Sequence, residues 1–330
     1  MEASYAKENG TSASGGHVYL ELGVAHLPTG SGRIYVFAIP NETEYGPGYG
    51  DEWLLYQDES GTHIMNFTAI PNDTRGLIFG DAYYYLYTRL NAEPEELHIP
   101  NDSDQIFTSQ YFNSSNLVKV ITHGWLTNMN ATWLQDMKNE FLSNNDYNVI
   151  IIDWNELSRN PIYPWAAFST RYVGKQTAKL LDSIAKSYDI DGMDPARPLF
   201  ELPMMPEHCR LDKTDAEFVD IIHTNSGVHG YYKSQGHADF YPNGGSSPQP
   251  GCNQIIAPFD SCSHLRATLY FNESINSATL FKAFPCESWH KFENGHCTVN
   301  YTYMGLQAKK EDVGVFYLYT NSEPPFAISS

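Results

Sequence analysis

The sequence predicts an α/β fold, a mostly parallel sheet with helices on both faces. Three observations predict it. "YNVIIIDW" (147–154) is a nearly continuous Val/Ile run, the mark of a strand buried on both faces. "ATWLQDMKNEFLS" (131–143) sets Trp133, Leu134, Met137, Phe141 and Leu142 at helical spacing, with charged residues opposite. Such strands and helices alternate along the chain, and strand–helix–strand order implies right-handed crossovers.

Taken in order, residues 1 to about 32 begin polar and rich in Gly, Ser and Thr, which predicts a mobile lead. "RIYVFAIP" (33–40) reads as a strand and "EYGPGYGDEW" as a loop. "GLIFGDAYYYLYTRL" (76–90) is aromatic, partly alternating, and predicts a long strand. "LVKVITHGW" (117–125) is a short apolar run closed by Gly. "WAAFSTRYVGKQTAKLLDSIAKS" (165–187) predicts a long helix with Phe168, Tyr172, Leu180, Leu181 and Ile184 on its apolar face. "AEFVDIIHT" (216–224) is a strand, "CSHLRATLYFNESI" (262–275) a late helix and "GVFYLYT" (314–320) a final strand. The chain therefore divides into a lead segment, 1–75, and one α/β domain, 76–328.

Composition narrows the function. The 330 residues carry a net charge of −19, against the basic face that nucleic acid requires and against electrostatic docking on anionic membranes. No run of about 18 apolar residues exists to span a bilayer. Five cysteines lie at 209, 252, 262, 286 and 297. Cys252/Cys262 and Cys286/Cys297 are close enough to staple short loops, and neither spacing fits a CxxC metal or redox motif. Cys209 is left over. Asn9, Asn41, Asn66, Asn72, Asn101, Asn113, Asn130, Asn272 and Asn300 each open an N-x-[ST] triplet. Dense sequons with pairable cysteines predict a secreted glycoprotein. Yet "MEASYAKENGTSASGG" has no basic-then-apolar signal pattern. Extracellular chemistry without that signal reads as a chain that is incomplete or atypically spliced.

In parallel α/β sheets chemistry gathers on loops at the carboxyl ends of strands. Three loops qualify. In "VITHGW" a Gly follows a buried strand, which suits either an oxyanion-binding N–H or a plain tight turn. In "GMDPARPLF" Pro195 fixes a turn that presents Asp194, as a catalytic carboxylate or an Asx turn. In "CSHLR" His264 stands at a helix start, next to a cysteine that closes the nine-residue loop "NQIIAPFDS" if it pairs with Cys252.

Together these loops resemble the animal pancreatic-lipase and phospholipase A1 family of α/β-hydrolases. The resemblance runs from about Ala82 to Phe326, through "YYLYTRLN", "VITHGW", "VIIIDW", "GMDPARPLF", "RLDKTDAEFVDIIHT", "GHADFYPNGG", "QPGC", "CSHLRA" and "ESI" in order. "HGW" and the ending "GVFYLYTNSEPPF" look most like the arthropod branch, in which no carboxy-terminal β-sandwich follows. The resemblance implies ester hydrolysis of lipids by a Ser-His-Asp triad. Asp194 would orient the histidine, His264 would be the general base and then acid, and the Trp125 N–H would be an oxyanion donor. The loop between Cys252 and Cys262 would be a lid with Ile255, Ile256 and Phe259 toward lipid. Its shortness goes with phospholipase or galactolipase preference. "PEHCRLDKTD" resembles the family's calcium loop, with Glu207, Asp212 and Asp215 as carboxylates and Arg210 as a carbonyl ligand. The same stretch also reads as a solvated acidic loop. The resemblance implies no required cofactor, a structural calcium being the one candidate. His223, His229 and His237 fall in scaffold motifs, and a zinc site from them is disfavoured.

The triad's serine has no place in this chain. α/β-hydrolases carry it on a G-x-S-x-G elbow upstream of the aspartate. No G-x-S-x-G exists. The nearest misses are "GTSAS" (10–14) and "YKSQG" (232–236), and Ser234 lies after Asp194. Between the helix end at Ser187 and Asp194 stand six residues, "YDIDGM". An elbow strand, its helix and the next strand need roughly 25–35. The sequence thus predicts that the elbow strand and helix are missing, with a seam near 190/191 and "VIIIDW" left beside a gap or paired elsewhere. Marginal stability or a rearranged sheet would follow, and Cys209 would have lost its partner. Three functional readings result: an inactive splice form or incomplete product of a secreted lipase gene, a non-catalytic binding or storage protein like the insect yolk proteins, and a hydrolase with another nucleophile.

Overall fold

The computed structural model describes residues 16–20, 53–58, 61–66, 80–99, 108–161, 163–184, 188–201, 204–252 and 261–329. The strands among them are β1 (Gly16–Leu20), β2 (Trp53–Asp58), β3 (Gly61–Asn66), β4 (Tyr83–Tyr87), β5 (Glu95–Leu97), β6 (Val118–Thr122) and β7 (Asn148–Asp153). Next along the chain come β8 (Tyr188–Met193), β9 (Phe218–Ile222), β10 (Ala238–Pro242), β11 (Phe281–Pro285), β12 (Thr302–Met304) and β13 (Gly314–Leu318). The helices are α1 (Thr132–Asn144), α2 (Asn155–Ser158), α3 (Tyr163–Ile184), α4 (Ser261–Asn276) and α5 (Trp289–Glu293).

Eleven strands form one sheet in the order β12-β11-β13-β10-β9-β8-β1-β6-β7-β4-β5, and β2 with β3 makes a separate hairpin. The run from β13 to β7 is parallel, with antiparallel strands at both edges. β6 and β7 are buried along nearly their whole length, as their Val/Ile content requires. Helices cover both faces. On one face Leu134, Met137 and Phe141 of α1 and Ala267, Tyr270, Phe271 and Ile275 of α4 join Ile121, Val149 and Ile151 of the sheet. On the other, Val173, Leu180, Leu181 and Ile184 of α3 pack on Val118, Val120, Ile150, Ile152 and Ile190. No helix among the described residues is long and apolar enough to cross a membrane.

No gap stands beside the "VIIIDW" strand. β7 has both neighbours, β6 and β4. β6 in turn pairs with β7 on one edge and with β1 on the other, and β1 separates it from β8, the strand directly before Asp194. Within the segment 1–75, β1 is a strand of the main sheet and β2–β3 a separate hairpin. The strand expected over 33–40 lies outside the described residues. The long strand expected over 76–90 is shorter, because the Thr88 N–H and hydroxyl both donate to Asn91 Oδ1 and close a turn after Tyr87.

The seam is a single strand. β8 reads "YDIDGM" and carries Asp189 and Asp191 into the sheet. Asp191 faces Asp220 of β9 in register, and both are buried. A side-chain hydrogen bond joins the two carboxyls, and burial together with the Asp191 charge pushes the pKa of Asp220 well up. Lys119 on β6 is also buried, and its pKa is pulled down to about 8 by burial, with Asp191 and Asp189 opposing the fall. Its ammonium lies over the Phe141 and Tyr147 rings at 5.3 and 5.4 Å from their centroids.

Candidate active site

Asp194 comes directly after the last residue of β8, with φ of +47°, a left-handed conformation that Asp tolerates better than most residues. Its N–H donates to the Ile222 carbonyl at 2.8 Å, which turns the chain onto β9. One carboxylate oxygen, Oδ1, accepts from the N–H groups of Thr224 and Asn225 at 2.9 and 3.0 Å. The other, Oδ2, is 2.5 Å from Nδ1 of His264. Both side chains are fully buried. Since the carboxylate accepts, Nδ1 carries the proton and Nε2 is left as the basic nitrogen. This is the orientation and tautomer that a catalytic aspartate imposes.

His264 sits in the first turn of α4, and the Cys252–Cys262 disulfide fastens that turn to the preceding chain. Ser263 Oγ accepts from the Gln249 N–H at 2.9 Å, and Thr224 Oγ1 donates to the His264 carbonyl at 3.3 Å. The ring of His229 meets His264 edge-on at 5.7 Å. Gly230 is a requirement that sequence reasoning misses: a Cβ there would stand 2.2 Å from Asp194 Oδ1. The glycine in "GVHGYY" is a signal, but its partner is remote in sequence.

The second loop, "HGW", leaves the end of β6. His123 is buried and its Nε2 lies 2.8 Å from Asp153 Oδ1, while the Trp154 indole N–H donates to the His123 carbonyl at 2.6 Å. Burial alone would raise the pKa of Asp153, but the His123 contact and the N–H groups of Asn155 and Met129 hold it below its ordinary value. Trp125 is buried, its indole N–H donates to the Asn160 carbonyl at 2.7 Å, and it meets Tyr163 edge-on at 5.0 Å. Leu126, with φ of +57°, returns its N–H to the Ser158 carbonyl at 3.0 Å. The turn is therefore pinned from both sides, as a preorganised N–H donor needs.

Strand register relates the two loops. Leu20 of β1 is opposite both Thr122 of β6 and Gly192 of β8. The "HGW" turn and Asp194 thus leave the same rim of the sheet, with the carboxyl end of β1 between them, about 10 Å apart at ordinary strand spacing. The sequence directly after β1 is "ELGVAHLP" (21–28), with no hydroxyl or thiol. Ser234 is exposed and hydrogen bonds to the Tyr241 side chain.

The remaining candidates are dispersed. Asp212 and Asp215 are buried beside one another; Asp215 Oδ2 accepts from the Asp212 N–H, and Asp212 Oδ1 accepts from the N–H and hydroxyl of Thr214. Asp212 Oδ2 is buried with no hydrogen-bond partner, an oxygen a hard cation would satisfy. Burial pushes the Asp215 pKa up to about 6. Glu207 is exposed and turns to the Arg210 guanidinium at 3.7 Å, so it does not join them. Among the described residues no group of three His, Cys, Asp or Glu gathers at a metal-binding distance. His223 pairs with Asp239 at 2.7 Å, and His237 Nδ1 accepts from the Val219 N–H at 3.1 Å. Cys286 and Cys297 are bridged, and Cys209 is buried with Ala196, Phe200, Met205 and Tyr231, outside both disulfides. Ile255, Ile256 and Phe259 lie outside the described residues.

With this geometry in place, comparison with known proteins is decisive. The Lipase family profile matches residues 58–191 and 186–326. The chain belongs to the Lipase family. The profile matches in two pieces, which meet at β8, where the sequence places the seam. Lipase member H-B of Xenopus laevis is 34% identical over 281 residues, 74% of this chain and 59% of that protein. Lipase member H of Xenopus tropicalis is 33% identical over 248 residues, 64% of this chain and 52% of its own length. Inactive pancreatic lipase-related protein 1 of Canis lupus familiaris is 30% identical over 288 residues, 72% of this chain and 60% of its own length. The chain thus spans between half and three fifths of these relatives. Moreover, 248 aligned positions exceed 64% of a 330-residue chain, so the relative supplies positions to which this chain contributes no residue.

Proposed function

We propose that this chain is a non-hydrolytic member of a secreted family of lipid ester hydrolases, whether triacylglycerol lipases or phospholipases A1. It retains the base, its orienting carboxylate and the oxyanion turn, and it lacks the nucleophile. One observation carries this reading: the strand between β6 and β8 is β1, and the eight residues after it, 21–28, offer no hydroxyl or thiol. Only residues 185–187 separate α3 from β8, too few for an elbow strand and its helix. The two-piece family match supports an internal deletion, as an alternative splice or an incomplete gene product would give. A triad missing one member keeps little of its rate enhancement.

The test is direct. The purified chain, exposed to a fluorophosphonate probe, should show no covalent label and no release of fatty acid from phospholipid or triacylglycerol. Stoichiometric labelling would overturn the reading. Sequencing the gene and transcripts across the Ile190 codon should reveal a segment encoding G-x-S-x-G in the genome.

Lipid binding without hydrolysis, as in a storage or carrier protein, is the activity left to such a chain. An inactive pancreatic lipase-related protein among its relatives favours this second reading. Ile255, Ile256 and Phe259 would face the lipid. Asp212 and Asp215 would hold a structural calcium, with Glu207 excluded from its shell by Arg210. Secretion would place carbohydrate on exposed sequons such as Asn113, Asn130 and Asn300.

A further inference from the structure

The slot between β6 and β8 is filled from far away in sequence. β1 ends at Leu20, whereas β6 begins at Val118 and β8 at Tyr188. Over five residues β1 pairs with both neighbours, Gly16 through Leu20 against Val118 through Thr122 on one side and Tyr188 through Gly192 on the other. β6 and β8 make no ladder with each other. Without β1, two facing backbone edges would lie open at the centre of a sheet whose Val118, Val120 and Ile121 are fully buried. Unpaired backbone groups at such a depth cost as much as lost hydrogen bonds. The slot therefore requires an occupant.

We propose that the β6–β8 slot is a strand-acceptor site and that Gly16–Leu20 is its ligand, a complementing segment held by main-chain pairing rather than by continuity with the domain. This rests on the reading that the elbow strand is missing. Strand addition takes affinity from backbone hydrogen bonds and specificity from alternate side chains. The register supplies that specificity. Val18 is in register with Val120 and Ile190, His17 with Lys119 and Asp189, and Tyr19 with Ile121 and Asp191. A one-residue slip would exchange these rows, so the order of "GHVYL" sets the register.

Two experiments on the full chain test this. In the first, a V18C/V120C variant is oxidised and mapped by mass spectrometry. A bond between positions 18 and 120 in most molecules is expected, since neighbouring strands bring Cα atoms within disulfide range. Its failure to form would overturn the proposal. In the second, a protease site is placed between residues 32 and 33 and cut after folding. The 1–32 fragment should stay bound through gel filtration, and a fluorescent peptide of residues 14–23 should exchange into the slot. The same peptide with Val18→Asp should bind at least tenfold more weakly. Free release of the fragment, with an unchanged thermal transition of the remainder, would overturn the proposal. Neither result depends on catalysis, so probe labelling would refute the proposed function independently of this one.

Discussion

The Asp194–His264 corner and the β8–β1–β6 centre of the sheet lie one strand apart, yet they are built differently. At the corner the polar groups converge on partners: Asp194 takes two backbone N–H groups and a histidine, and a disulfide fixes the helix that carries it. At the centre, buried polar groups crowd one another. Burial and the neighbouring Asp191 push the Asp220 carboxyl up, burial pulls Lys119 down to about 8, and the strand beside them comes from the far end of the chain. The difference teaches that a catalytic corner is local structure. It is held by its own contacts, while the unbalanced buried charge falls on the scaffold.

The largest test of that contrast is at the corner. Asp194→Ala would leave the Thr224 and Asn225 N–H groups and His264 Nδ1 buried without their acceptor. A loss of about 3–5 kcal/mol is expected in chemical denaturation. Gly230→Ala should act in the same direction by driving a methyl into the Asp194 carboxylate. If both variants unfold like the parent, the corner is not the rigid half of the molecule. A second test keeps the corner but unfastens it. Replacing Cys252 and Cys262 by serine should cost about 2–3 kcal/mol through loop-closure entropy, read as a lower denaturation midpoint.

Legibility in the sequence divides along the same line. β6, α1, β7, α3, β9, α4 and β13 are all readable, because each carries its own apolar period. Asp194, His264 and both disulfides are readable as motifs, and the structure brings Asp194 and His264 together. β1 is not, because five residues after a Gly/Ser-rich flank look like a mobile lead until pairing with β6 and β8 gives them a place. β8 is not, because "YDIDGM" carries the polarity of a loop, and only pairing on both sides makes it a strand. Gly230 is not, because its constraint is a carboxylate that only the folded chain brings near.

The central region is sharpened by pH. Asp220 binds its proton more tightly folded than unfolded. Its contribution to stability is full below the unfolded carboxylate value, about pH 4, and is lost as pH rises through the folded value. Asp220→Asn keeps a donor toward Asp191 without needing the proton. The variant should therefore match the parent at pH 4 and exceed it by about 1–2 kcal/mol at pH 8. Equal denaturation midpoints at both pH values would mean that the carboxyl pair carries no strain.

The smallest expected effect lies between the two regions, in the loop that leads into β9. Asp212 Oδ2 is buried with no hydrogen-bond partner, and burial raises Asp215 to about 6. A divalent cation would satisfy the first and reverse the second. Calcium at its dissociation constant should add about 0.4 kcal/mol if the unfolded chain does not bind it. With only two carboxylates available the affinity should be weak, so a rise of about a degree in melting temperature at millimolar calcium is expected. Asp212→Asn should abolish that rise, whereas Glu207→Gln should leave it intact, because Glu207 is committed to Arg210. A response that survives Asp212→Asn but disappears with Glu207→Gln would relocate the cation to the exposed side of the loop and leave the buried carboxylates as ordinary turn chemistry.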